Sequence, residues 1–505
     1  MRRYVPLPFL TFLLIFGSSI SFTVHAQEER AISDSIYSTV LKEQRSIKVL
    51  LPEAYKAGST DRYEVIYITD GEWAMSPFSF IYKFAQDENY VPPAIIVAIP
   101  NRYIDKANQR DRDFLPVHVP EPAISGGADN FLSFIKNELI PYIDSKYPTN
   151  KSNSIYGHSY GGLFALYALL TEPQVFESFY ATDPPFGWNS DYLMKMAAEK
   201  LKTLPAEKTL WIAGRSENSD IGRLDSILRR VAPENLHWKA ETYPNEKHNS
   251  VRLKAMYDGI KFAYSGYSNS PLIFHPMNGI MLRGNRIPIF IVDKPTEVRY
   301  TLNGEEPTRT SQEAGQVVIL TAPAHLVMKS FSAGGKYDKT ARGNFELGEA
   351  LPSVPKPEKI KAGGLKYSYY EGEWEKLPDF AKLKPVKTGV ADSAFALKDL
   401  PAKTNFGCVF EGYVEIVKDG SYIFALVSND GSRLFLGNKL IVDNDGVHSA
   451  MSIQSYVLPL EKGFYPIRIE YFQKNQSGVF QLLYLNPDTG TNPTAIPFRY
   501  QCYQE

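Results

Sequence analysis

The pattern of apolar and polar positions changes character along the chain. Over residues 27–266, compact apolar runs alternate with stretches that repeat apolar residues at three- and four-residue intervals, the alternation of an α/β sheet. Strands are predicted at Ser46–Leu51, Val65–Thr69, Ala94–Ile99, Ser154–Tyr156, Ser178–Ala181 and Thr209–Ala213. Helices are predicted at Ala128–Lys146, Gly161–Leu170 and Val251–Tyr264. The pattern breaks at Tyr264-Ser265-Gly266, where turn formers cluster. Short alternating runs then follow over residues 267–348, among them Ile289–Val292, Glu297–Leu302, Val317–Leu320 and Val327–Ala333, predicting a small antiparallel sandwich. Residues 349–362, with the Pro- and Lys-rich stretch Leu351–Lys361, read as a semi-extended linker. From 363 to 505 come many short strands with Asp-Gly turns at Asp419-Gly420 and Asp430-Gly431, predicting a second all-β sandwich. The expected fold class is therefore multidomain, an α/β unit with a mostly parallel sheet followed by two all-β sandwiches.

Composition narrows the classes of function. Of 505 residues, 44% are hydrophobic and 22% charged, as in ordinary globular protein, and the length exceeds what one hydrophobic core serves. The formal net charge of −1 supplies no electrostatic reason to bind nucleic acid or an anionic membrane. Residues 1–26 read as a cleaved export signal, with Arg2 and Arg3, the apolar stretch Phe9–Phe22, and Val24-His25-Ala26 as the cleavage site. The mature chain is expected to start near Gln27, with no membrane span after cleavage, in the periplasm or outside the cell. Cys408 and Cys502 are the only cysteines; they either pair in an oxidising compartment or stay as buried thiols, and neither has metal-site spacing.

The chemistry concentrates in Asn153-Ser154-Ile155-Tyr156-Gly157-His158-Ser159-Tyr160-Gly161-Gly162. Gly157-His158-Ser159-Tyr160-Gly161 is a G-x-S-x-G pentapeptide between a strand-like run and an apolar helix, the context of a nucleophile elbow. The glycines let strand and helix approach each other while Ser159 takes a sharp turn. That turn exposes Oγ and aims the backbone N–H of Tyr160 at a developing oxyanion. A serine also needs a base and an acid that orients the base. Among the histidines downstream, His248 lies in a polar loop between a strand and the last helix, and is the expected base. Glu217, just past the strand Thr209–Ala213, is the expected acid, with Asp220 as the alternative and a Ser–His dyad if both are solvated. A second oxyanion donor is expected from the loop Thr69-Asp70-Gly71-Glu72-Trp73, at the N–H of Glu72 or Trp73. Trp73 and Trp188 fall near strand ends and are candidates for the substrate pocket, or else for the core. No metal or organic cofactor is expected.

Longer segments carry a resemblance. LKEQRSIKVLLPEAY, VIYITDG, VAIPNRYIDKANQRDRDFLP, GGADNFLSFIKNELIPYIDSKYPT and SIYGHSYGGLFALYALLTEPQVFESF make residues 36–264 resemble the esterase-D-like branch of the α/β-hydrolases. That branch includes siderophore esterases, S-formylglutathione hydrolases, and acetyl-xylan or feruloyl esterases. The resemblance implies a Ser–acid–His machinery, carried here onto Ser159, Glu217 and His248. The segment Thr182–Asn189 (TDPPFGWN) departs from the branch's usual Ser-Pro-Ser and paired tryptophans, which bears on the acyl pocket. Residues 271–345 resemble the small C-terminal domain of chitobiases and hexosaminidases, through VRYTLNGEEPT and FSAGGKYDK. Residues 363–500 are similar to the protective-antigen β-sandwich, through GLKYSYYEGEWEKLPDF, FEGYVEIVKDGSYIFALVSNDGSRLFL and VDNDGVH. Such domains often bind carbohydrate, some through calcium at paired acidic residues; here the first of the pair is Asn429 and only Asp430 is acidic, which speaks against calcium. The expected function is an exported serine esterase removing acyl groups from carbohydrate, with polysaccharide bound by the C-terminal domain. The alternatives are a siderophore or other small-ester esterase, and a non-catalytic carbohydrate-binding or adhesion protein.

Overall fold

The structure is a computed structural model. It describes residues 31–505 apart from 122–123, 205–206, 295–296, 392–394, 396–403, 451, 475–477 and 486–492, so the expected export signal lies outside the described residues. The chain divides into two compact units, one ending at Tyr267 and one beginning at Ser268.

The first unit contains strands β1 (Ile32–Ser38), β2 (Glu43–Leu50), β3 (Tyr63–Ile68), β4 (Ala94–Ala98), β5 (Tyr103–Ile104), β6 (Ala107–Asn108), β7 (Thr149–His158), β8 (Ser178–Thr182), β9 (Lys208–Arg215) and β10 (Leu236–Tyr243). Its helices are α1 (Gly71–Asp87), α2 (Arg110–Phe114), α3 (Ala128–Phe134), α4 (Ile140–Lys146), α5 (Tyr160–Thr171), α6 (Trp188–Lys200), α7 (Ser219–Val231) and α8 (Val251–Ala263). Eight strands form one sheet in the order β1-β2-β4-β3-β7-β8-β9-β10. From β4 through β10 neighbouring strands are parallel, while β1 and β2 run antiparallel at one edge. β3 and β4 are buried along their whole length, because helices cover both faces of a parallel sheet, which is why they read as unbroken apolar runs. The strand order reverses between β3 and β7, and the carboxyl ends at such a switch point open a crevice suited to ligands.

The helix expected over Ala128–Lys146 is real but not uniform. α3 passes through a π-turn at Ile135–Leu139 into α4. Pro141 sits in the first turn of α4 and has no N–H to give, so the wider turn before it absorbs the missing bond. α5 is buried from Gly161 to Leu170, consistent with its apolar residues all round.

Among the described residues the second unit is built of β-strands with a few short 3-10 turns, and its two larger apolar clusters are separate. One gathers Phe274, Ile289, Leu326, Met328 and Phe345; the other gathers Tyr369, Phe410, Phe424, Leu434, Ile469 and Tyr471. One nine-stranded sheet runs through both: Asn278–Met281 pairs in parallel with Lys339–Leu347 on one side and with Gln454–Leu460 on the other. The stretch expected to be a linker is extended but not free. Leu351 bridges to Leu460, Val354 to Phe464, and Ile360–Ala362 pairs with Gln501–Gln504. Cys408 and Cys502 are both buried free thiols. Cys502 is opposite Tyr413, on the same strand as Cys408 but five positions away, about 17 Å at strand rise and far outside disulfide reach. Burial pushes the Cys408 thiol up to about 12.

Candidate active site

Ser159 occupies the turn between β7 and α5 with φ 58° and ψ −123°, a left-handed conformation costly for a residue with a side chain. Its backbone is held on both sides: the Ser159 N–H donates to Thr182 O at 2.9 Å, and its carbonyl accepts from Leu163 N at 3.0 Å. A Cβ on Gly157 would lie 2.0 Å from the Gly161 carbonyl oxygen, and one on Gly161 would lie 2.4 Å from Thr69 Oγ1. Strand, helix and the neighbouring loop therefore approach at distances only glycine permits.

Parallel registers carry the other groups to the same sheet edge. His158 is opposite Thr182, Thr182 opposite Ala213, and Arg215 opposite Tyr243. Asp183 therefore emerges directly beside the elbow, and the loop after β10 returns His248 over it. His248 Nδ1 lies 2.6 Å from Asp183 Oδ2. The His248 carbonyl lies 2.8 Å from His158 Nε2, and the two rings are 4.5 Å apart. A carbonyl only accepts, so His158 carries its proton on Nε2. Burial, followed by the positive charge that His248 can carry, pushes His158 down to about 3, so it stays neutral. With Nδ1 of His248 donating to a carboxylate, Nε2 is left as its basic nitrogen.

Asp183 is 2% exposed. Its Oδ2 also accepts from Arg215 Nε at 2.8 Å; its Oδ1 accepts from Asn218 Nδ2 at 2.9 Å and from the Arg215 backbone N–H at 3.3 Å. Burial alone would raise this carboxyl, but the bonds from His248, Asn218 and Arg215 outweigh it and hold the group well below the usual carboxylate range.

Glu217 does not take the acid position. β9 ends at Arg215, and Ser216-Glu217-Asn218 turns at once into α7, with Asn218 capping the helix by accepting from Asp220 N. Glu217 is left exposed in that turn. Asp220 is committed elsewhere, to the Gly187 N–H at 2.6 Å and to Arg223 at 3.0 Å. The acid lies one strand nearer the elbow than the sequence pattern suggests. Its signal in the sequence is Thr182-Asp183-Pro184-Pro185, an aspartate at the end of the strand beside the elbow, fixed by two prolines.

On the other side of the elbow, β3 lies beside β7 with Ile68 opposite Tyr156, which brings the start of α1 next to the start of α5. Tyr160 N–H is the first of α5 and Glu72 N–H the second of α1, positions with no carbonyl of their own helix to bond. The Trp73 N–H is used, donating to Asp70 O at 2.9 Å. Asp70 is left-handed (φ 54°) and 3% exposed, and its carboxylate takes Arg110 Nε at 2.6 Å, Arg110 Nη2 at 2.9 Å and Asn101 Nδ2 at 2.8 Å. Arg110 Nη2 also donates to the His158 carbonyl at 3.0 Å, so one guanidinium ties the two loops together. The Glu72 carboxylate accepts from the Asn101 N–H and Nδ2, both at 3.0 Å. Trp73 is 48% exposed at this edge, whereas Trp188 packs on the apolar core at the start of α6.

In the second unit, the groups at which related sandwiches hold calcium are otherwise engaged. Asp430 accepts from the His448 and Lys474 backbone N–H groups, and Asn429 from Gln473 Nε2. Arg433 donates to both Asp443 and Asp445. This set does not fit an ion that takes six to eight oxygen ligands. Among the described residues no cluster of His, Cys, Asp and Glu suits a metal, and no helix is long and apolar enough to cross a membrane.

Comparison with known proteins agrees with this anatomy. Residues 38–237 match the family described as "Putative esterase", and residues 361–497 match the PA14 domain. The siderophore triacetylfusarinine C esterase of Aspergillus fumigatus is 35% identical over 28% of this chain and 50% of its own length. The ferri-bacillibactin esterase BesA of Bacillus subtilis is 29% identical over 35% of this chain and 65% of its own. A β-hexosaminidase of Porphyromonas gingivalis is 26% identical over 37% of this chain and 25% of its own. The chain thus spans half to about two thirds of the length of these two esterases.

Proposed function

We propose that this chain, with its esterase-family domain at residues 38–237 and PA14 domain at 361–497, is a serine carboxylic-ester hydrolase acting on siderophore esters. The observation that carries the reading is the 2.6 Å bond from His248 to Asp183 beside the left-handed Ser159 turn. His248 Nε2 takes the proton from Ser159 Oγ as that oxygen attacks the ester carbonyl. The N–H groups of Tyr160 and Glu72 receive the oxyanion. The tetrahedral intermediate collapses to an acyl-enzyme, and the alcohol leaves with the proton from His248. Water, deprotonated by the same nitrogen, then releases the acid and restores Ser159. Ionised Asp183 holds the imidazole in the tautomer that both steps need.

The names of two relatives that match the esterase portion support a siderophore ester as substrate. An acylated carbohydrate is the second reading, favoured by the PA14 domain and the hexosaminidase relative. Residues 1–26 fit export in either case, to the periplasm or beyond the cell. The purified protein should hydrolyse p-nitrophenyl acetate, and Ser159→Ala should lose at least ~10³-fold in kcat. Faster turnover of a tri-catecholate siderophore than of acetylated or feruloylated xylan is expected. The reverse order would install the carbohydrate reading, and inactivity on every ester would leave a binding protein.

A further inference from the structure

The acid of the site is shared. Asp183 Oδ2 accepts from His248 Nδ1 at 2.6 Å and from Arg215 Nε at 2.8 Å, so a guanidinium and an imidazole sit on one carboxylate oxygen. Arg215 adds its backbone N–H to Oδ1 at 3.3 Å, beside Asn218 Nδ2 at 2.9 Å. The carboxylate is thus neutralised by a permanent cation before His248 gains its own charge. An imidazolium beside a lone carboxylate is stabilised; one beside a carboxylate already paired with arginine gains much less, and meets a like charge as well.

We propose that Arg215 is a positioning residue that sets the operating pH of the site, keeping the His248 base unprotonated to lower pH than a lone Asp183 would allow. The proposal rests on the esterase reading. The groups facing His248 are Asp183 from the end of β8, Arg215 from the end of β9 and His158 from the end of β7. Arg110 of α2 and Arg252 of α8 act on His158. On its own loop Lys247 precedes it, and Glu246 is paired with Lys254 of α8. His158 stays neutral, Asp183 stays ionised, and Arg215 is the fixed charge in direct contact with the shared oxygen. Arg215 is also 38% exposed at its side chain, so its removal leaves no cavity in the core.

Two measurements on the full-length protein test this. Histidine-selective ¹⁵N labelling, with His248 assigned through its loss in His248→Gln, reads the imidazole titration without any substrate. The acid limb of kcat/KM for p-nitrophenyl acetate reads the same group in action. Arg215→Gln keeps a donor but removes the charge, and both midpoints should rise by about one pH unit. Arg215→Lys keeps the charge and should stay near the parent. An unmoved His248 midpoint in Arg215→Gln, or an equal rise in Arg215→Lys, overturns the proposal. Either result leaves the esterase reading standing, because that reading is decided by Ser159→Ala.

Discussion

Asp183 and His248, 65 residues apart in the chain, meet through a single contact of 2.6 Å between Oδ2 and Nδ1. Neither loop makes the site alone. β8 delivers the carboxylate at the edge shared with Ser159, and the segment after β10 supplies the ring. The acid is therefore chosen by strand register, not by distance along the chain, and this has an unambiguous consequence for mutagenesis. Asp183→Asn preserves shape but loses the acceptor that selects the tautomer, and kcat should fall by about 10³- to 10⁴-fold. Glu217→Gln, on an exposed turn, should change kcat less than about 2-fold. Steady-state kinetics of the two variants side by side would decide between the carboxylates; equal losses would return Glu217 to the site.

How much of this is legible in the sequence follows from how local each feature is. The elbow is local: Gly157, Ser159 and Gly161 lie within one turn, and α5 announces itself by its apolar run. α1 is masked, because Asp70-Gly71 looks like a plain turn and Pro77 interrupts the helical pattern. Asp183 depends on the pairing of Thr182 with His158 and Ala213, which only the folded sheet supplies. The joining of the two β cores is equally hidden. Asn278–Met281 is a short strand whose partner begins at Gln454, and no pattern along the chain encodes a pairing across so many residues. Long-range register is a property of the whole fold, while turns and periodicity belong to their own few residues.

The Asp70–Arg110 pair makes a second prediction. The two side chains are 5% and 15% exposed, and the arginine bridges the α1 loop to the elbow. Arg110→Met should strand a buried carboxylate and lower stability by about 3–5 kcal/mol. The double variant Asp70→Asn/Arg110→Met, which strands no charge, should lose less than Arg110→Met alone. Urea unfolding of the parent, Asp70→Asn, Arg110→Met and the double variant tests this; a double variant as unstable as the sum of the two single changes would show that the pair is not coupled.

The two elbow glycines should respond differently to relief elsewhere. Gly161→Ala collides with Thr69 Oγ1, an atom that Thr69→Ala removes, so the double variant should recover part of the lost kcat and stability. Gly157→Ala collides with the Gly161 carbonyl, which no side-chain change can remove, and Thr69→Ala should leave it unrescued. Rescue of both, or of neither, would mean that the close approach of Thr69 does not control the turn.

His158 makes the site acid-sensitive through folding. Its ring is buried and donates to the His248 carbonyl, and its folded pKa is pushed down to about 3 from an ordinary 6.5. Between those values the unfolded chain binds a proton that the folded chain refuses, so stability must fall as pH is lowered from about 6.5. One such group contributes a slope approaching about 1.4 kcal/mol per pH unit. His158→Asn has no proton to refuse, and its stability should decline less steeply over the same range, even if it is lower at neutral pH through loss of the bond to the His248 loop. Urea midpoints at about pH 7, 6 and 5 read the two slopes directly. Parallel slopes would mean that His158 protonates freely in the folded state, which a ring donating Nε2–H to a carbonyl inside a buried pocket should not do.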